Sequence, residues 1–340
     1  MGNSHTRVRI TGPVQTRTWN PAEGVVVERV EEKLLVRDFV RIVFFIPHDH
    51  FDIAAGVSHA LGSYLRAVEG HQDAISTYTC CYWEPSTLNE RGWQLIREAL
   101  EPQERRYMED YNEDEAHSLE KEGSDPYFGI YGAQDSRYRF SYHARLPWRE
   151  TAPELVSTLE VTLPTEYMQA NGPAQVRALA SDMASRLPFA SGHAGLALDV
   201  AYPQWDRLAL LRPLIFRHPG FDIRGANIYD QMGTRVDGVH WMNFLGPPVL
   251  HELGGAESLR SRLQSPSTSV EALDGTRVVV TLGSEPEAGD LEQNQSLPAY
   301  RELARWLEYW QEPFAWGFLH RQGRDDDARE LYRWWRRFLD

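Results

Sequence analysis

Apolar residues crowd into one run near the start of the chain, where "VRIVFFI" is almost without a polar position. A continuous apolar run of this length, rich in β-branched and aromatic side chains, marks a strand covered on both faces. Val25 to Val30 and Val36 to Ile46 are therefore predicted as two strands, the second central. Ile53, Val57, Ala60, Leu61, Tyr64, Leu65 and Val68 then recur at helical spacing, so 51–68 is predicted as a helix burying one stripe. "ISTYTCCYW" returns as a strand, and Thr87 with Glu90 has capping-box spacing ahead of a helix ending at Leu100. "RYRFSYHAR" and "ELVSTLEVTLP" alternate as half-buried strands. Pro173 suits the first position of a helix carrying Val176, Leu179, Ala180, Met183 and Leu187. "GHAGLALDV" is a further strand. Asp274-Gly275 joins two alternating runs as a hairpin, and "PAYRELARWLEYW" is a helix with Tyr300, Leu303, Ala304, Leu307 and Trp310 on one face.

Hairpins mixed with helices predict an α+β fold of mixed or antiparallel sheets, not the regular alternation of a barrel. The order strand, strand, helix, strand occurs twice, at 25–83 and 137–200, which suggests two similar lobes. Three regions follow from the pattern. Residues 1–22 are polar without a sustained period and are expected to be an N-terminal arm; 23–312 form the α+β body; 313–340 form a charged helical tail. Within the body, 101–126 loses its apolar period, and ten of its residues are acidic against three Lys or Arg. It is expected to be an acidic surface insertion.

Charge and cysteine content narrow the function. Asp and Glu outnumber Lys and Arg by 49 to 35, a net charge of −14, which argues against direct binding of nucleic acid. The two cysteines, Cys80 and Cys81, are adjacent and form no metal-binding pair, as expected of a reducing compartment. No apolar run approaches the length of a membrane span, and the first 25 residues lack an apolar core of the secretory type. A cytoplasmic protein without a membrane contact is expected.

Twelve histidines offer several apparent motifs. His48 and His50 follow a strand as in some metal hydrolases, and His193, His218 and Asp237 would complete such a set. The local chemistry also fits a corner, with Pro47 ending the strand and Asp49 capping the helix. His251-Glu252 lacks the second histidine of a zinc helix, since Gly255 stands in its place; Pro247, Pro248 and Gly254 instead bound a short helix. Ser191 lies two residues before His193 but has no nucleophile elbow around it. "DGVHWMNFLGPPVL" is either a binding loop or, more in keeping with its aromatics, a core plug beneath a turn.

Four stretches, "IPHDHFDIAAGVSHALGSYL", "LPTEYMQANGPAQVRALASDMASRLPFASGHAGLAL", "DGVHWMNFLGPPVLHELGG" and "TLGSEPEAGDLEQNQSLPAYRELARWLE", together resemble the type VI immunity family over about residues 25–310. The resemblance implies an antitoxin that binds and neutralises a cognate toxin or effector of a type VI secretion or polymorphic system, a basic nuclease among the options. It implies no catalytic residue and no cofactor. The insertion and the tail are where the chain departs from the family pattern. Glu109, Asp110, Glu113, Asp114 and Glu115 of the insertion, with Trp334 and Trp335 of the tail, are the expected partner-binding residues. The alternative is a metal-dependent hydrolase using His48, His50 and His193.

Overall fold

In the computed structural model, the described residues are 7–20, 25–80, 85–101, 127–133, 135–145, 155–200, 207–223, 232–313 and 325–340. One antiparallel sheet organises them. Its strands are β1 (Arg9–Asn20), β2 (Val25–Ile46), β3 (Thr77–Cys80), β4 (Ser86–Thr87), β5 (Tyr127–Tyr131), β6 (Arg139–His143), β7 (Ser157–Pro164), β8 (Ser191–Val200), β9 (Met242–Leu245), β10 (Thr268–Ala272) and β11 (Val278–Leu282). They run in the order β10-β11-β9-β8-β2-β7-β6-β5-β3-β4, with β1 paired to β2 outside that path. The fold is α+β, built from hairpins and packed helices as expected. The two repeated segments share this one sheet and form no separate lobes: β2 of the first is flanked directly by β7 and β8 of the second.

The central strand is a single element of 22 residues, where the pattern indicates two. Its second half, Val36–Ile46, is covered on both faces between β7 and β8. Its first half leaves the body and pairs only with β1, Val14 opposite Glu31 and Gln15 opposite Val30. The polar "EEK" that looks like a break is the part of this arm with water on both faces. Where neither face is buried, alternation has nothing to report. The same pairing turns the N-terminal residues into a strand. Val8 and Val14 are buried at period two, a signal obscured by Gly12-Pro13, which looks like a turn; proline is tolerated because β1 lies at an edge.

α1 (His50–Ala67), α3 (Thr165–Asn171) and α4 (Pro173–Ala184) cover one face of the sheet. α1 buries Ile53, Ala54, Val57, Ala60, Leu61 and Tyr64, as its periodicity requires. Asp49 is its N-cap by position, but the side chain makes no cap bond and instead accepts from Arg145 Nε at 2.6 Å. α2 (Glu90–Leu100) is capped by Asn89, whose side chain accepts from the Gly92 amide, and not by Thr87, which lies in β4. Val176, Leu179, Ala180 and Met183 of α4 are buried as expected.

Non-helical chain at 232–241 covers the opposite face near β8 and β2, where Met232 packs with Val43 and Phe45 and His240 lies against Gly195. Phe221 and Asp222 join β8 through a parallel bridge of Asp222 to Ala197. Val236 is pinned on both sides, its amide donating to Trp310 O at 2.9 Å and its carbonyl accepting from Glu312 N at 3.0 Å. β7 is buried on both faces, so Glu160 and Thr162 are buried beside Leu159 and Val161 where alternation predicts exposure, with Arg41 against Glu160 and the Thr162 hydroxyl donating to Arg137 O. After β9 come α6 (Val249–Glu252), ended by Gly254 at φ 84°, and α7 (Gly255–Arg262). The β10–β11 hairpin turns at Asp274, whose carboxylate accepts from the Thr276 and Arg277 amides. α5 (Arg207–Ile215), α8 (Pro298–Leu307) and α9 (Asp325–Trp335) complete the α-helices among the described residues.

Candidate functional site

The residues expected to meet a partner fall into two groups. Glu109, Asp110, Glu113, Asp114 and Glu115 lie outside the described residues, as does all of 102–126. Trp334 is buried, 4% exposed, with the Arg337 guanidinium 4.0 Å from its ring centroid. Trp335 is half-buried and stacks on Tyr332 at 5.8 Å. The end of the tail is docked, with Arg337 Nε donating to Pro219 O at 2.8 Å and Phe338 packing on Tyr300 at 5.4 Å. Arg333 is exposed on α9, with its guanidinium 5.1 Å from the Phe216 ring centroid.

The histidines separate across the sheet. His48 is exposed, and His50 is buried on the helix-covered face, with its Nδ1 2.9 Å from Tyr142 Oη. Burial pushes the His50 imidazole down to about 4, against the opposing effect of its hydrogen bond to the Ala99 backbone. His193 lies opposite Val43 on the other face, so the sheet stands between it and His50. His48, His50 and His193 are not brought together. His218 is buried with Nδ1 2.6 Å from Gly289 O. Ser191 donates to Arg235 O at 2.5 Å and is no partner for His193.

A different set does converge. His193, Asp222, Asp237 and His240 are all buried, and one donor atom from each lies within 4.8 Å of the others. β8 supplies His193, the bridge beside β8 supplies Asp222, and the 232–241 cover supplies the remaining two. His193 Nδ1 is 3.6 Å from Asp237 Oδ2, and its Nε2 is 3.8 Å from Asp222 Oδ2. The imidazoles of His193 and His240 stack with centroids 3.6 Å apart and planes 10° from parallel. Arg41 of β2 sits at the rim, donating to Asp222 Oδ2 at 2.8 Å, with Nε 3.3 Å from Glu160 Oε1.

Sequence gives this cover its local form. Asn243 folds the turn back on itself: its Oδ1 accepts from the His240 amide at 2.9 Å, and its Nδ2 donates to His240 O at 2.7 Å. Gly195 leaves the room that His240 occupies, since a Cβ there would stand 3.3 Å from His240 Cβ. "DGVHWMNFLGPPVL" is therefore a core plug, with Trp241 and Phe244 fully buried, and it also delivers Asp237 and His240. The sequence pattern groups His193 with Asp237 but does not bring in Asp222 or His240. The available signal is a polar side chain in a stretch that is otherwise buried, as in "GVHWM" and "GFDI".

The chain matches the sequence pattern of TsiV, type VI immunity for VRR-NUC, over residues 65–338. The protein belongs to this immunity family. TsiV similarity begins later than residue 25 and runs beyond residue 310, so most of the tail lies inside the match. The fold is also that of the type VI secretion system protein PA0821 of Pseudomonas aeruginosa, with a TM-score of 0.69 at 18% identity, covering 90% of this chain and 85% of that one. No curated protein is similar to the chain. Among the described residues, no helix of this TsiV member is long and apolar enough to cross a membrane.

Proposed function

We propose that the protein neutralises a cognate nuclease effector in the cytoplasm by stoichiometric binding, without turnover. The observation that carries this reading is the TsiV match over 65–338, with its description as immunity for VRR-NUC. Charge supports it: a nuclease presents a basic cleft to phosphates, and a chain with net charge −14 complements that cleft. The acidic segment 101–126 and the outer side of the tail helix are the proposed contacts.

The test is co-expression with a candidate VRR-NUC effector, followed by association kinetics on the purified pair. Growth rescue and a one-to-one complex are expected. Replacing Glu109, Asp110, Glu113, Asp114 and Glu115 by their amides is expected to slow association about tenfold or more at roughly 0.01 M salt, where charges act over about 30 Å. Unchanged rates would remove the insertion from the interface. Absence of both rescue and complex would remove the function.

A further inference from the structure

We propose that His193, Asp222, Asp237 and His240 bind one divalent transition-metal ion, of the zinc class, as a structural clamp inside the fold. This goes beyond the immunity reading and does not depend on it. Four donors from four buried side chains already lie within 4.8 Å of one another. A tetrahedral shell with metal–ligand distances of about 2.0–2.1 Å places neighbouring donors about 3.4 Å apart, so side-chain movement of roughly 1 Å closes it. The donor set selects the ion. Two imidazoles favour zinc, cobalt or nickel over magnesium and calcium, which take oxygen shells. With both imidazoles neutral, the two carboxylates carry the charge that a divalent ion balances.

The surroundings are those of an organised site. Arg41 holds Asp222 through Oδ2 and is itself balanced by Glu160, which fixes how the carboxylate is presented. Asn243 fixes the backbone that carries His240. One feature has to change on binding. Imidazole lone pairs lie in the ring plane, and rings 10° from parallel at 3.6 Å aim theirs side by side, not at a common point. The ion must therefore fan His193 and His240 apart. Four protein ligands leave no open position for water, so the role is structural, not hydrolytic. The ion would tie β8, the 221–223 bridge and the 232–241 cover together, adding to the backbone hydrogen bonds and the His193–Asp222 and His193–Asp237 contacts between them.

Tag-free full-length protein, stripped with chelator and checked for folding by circular dichroism, is titrated with zinc or cobalt(II) alone. One equivalent of cobalt is expected to bind, with the visible absorption of a tetrahedral nitrogen–oxygen shell, and X-ray absorption is expected to count two imidazole ligands. Zinc is expected to displace it and to raise the melting temperature. His193→Gln/His240→Gln is expected to abolish this uptake, and Asp237→Asn to weaken it about tenfold or more. Folded wild-type protein that takes up neither ion overturns the proposal, as does a double variant that folds and binds as wild type. Should the double variant fail to fold, the wild-type ligand count decides: fewer than two imidazoles overturns the assignment.

Discussion

Single residues show where local preference yields to context. Gly56 sits in the middle of α1, where alanine would ordinarily stabilise a helix by about 0.5–1 kcal/mol. A Cβ there would stand 2.4 Å from the Arg186 carbonyl oxygen, which belongs to backbone and has little room to move. The clash wins, and Gly56→Ala is expected to lose about 1–3 kcal/mol in urea unfolding. His50 makes a prediction in pH. Its folded value of about 4 lies below the ordinary 6.5, so the unfolded chain binds the extra proton first. Stability from this residue is intact above pH 6.5 and falls as pH drops from there toward 4, by at most about 1.4 kcal/mol per unit. His50→Gln is expected to flatten that part of the curve, read from unfolding midpoints between pH 7 and 4 (an interval set by those two values). The corner residues themselves were legible in the sequence: Pro47 ends the strand and Asp49 stands at the cap. That Arg145 takes the Asp49 carboxylate was not, because the two are 96 positions apart.

Elements were legible wherever one face is wet and the other dry. α1 and α4 follow their periodicity because each meets the body on one side only, and the β10–β11 hairpin was legible from its Asp274-Gly275 turn although β11 is buried on both faces. β1 escaped because Gly12-Pro13 hides its period-two burial, the outer half of β2 looks like a separate strand because Glu31-Glu32-Lys33 has no buried face, and β7 was underestimated because both of its faces are buried. The site was illegible for a related reason: its four members come from three segments, and alternation says which face a side chain takes but not what lies over it. The two ends of β2 are expected to respond unequally to substitution. Val26 and Val30 are 55% and 70% exposed, so Val26→Thr/Val30→Thr should shift stability by less than about 0.5 kcal/mol. Val40, fully buried on the same strand, should lose about 2 kcal/mol or more on change to alanine. Chemical denaturation of the two variants checks both.

At the scale of the molecule, one antiparallel sheet joins an arm, a helical face and a non-helical cover, and the family match spans most of it. The class and the family were legible because hairpin signals and four worded stretches survive in the chain itself. The sheet order was not. It places β2, among the first elements made, between β7 and β8, which follow far later. During synthesis the most apolar strand therefore waits for both neighbours, roughly 8–30 s at about 5–20 residues per second. A ribosome-bound chain ending near residue 150 should leave Val36–Ile46 open to chaperones and proteases, and one extended past residue 230 should protect it. Pulse proteolysis of stalled chains would read the difference. The same order of events sets how soon a newly made molecule is ready to meet its partner.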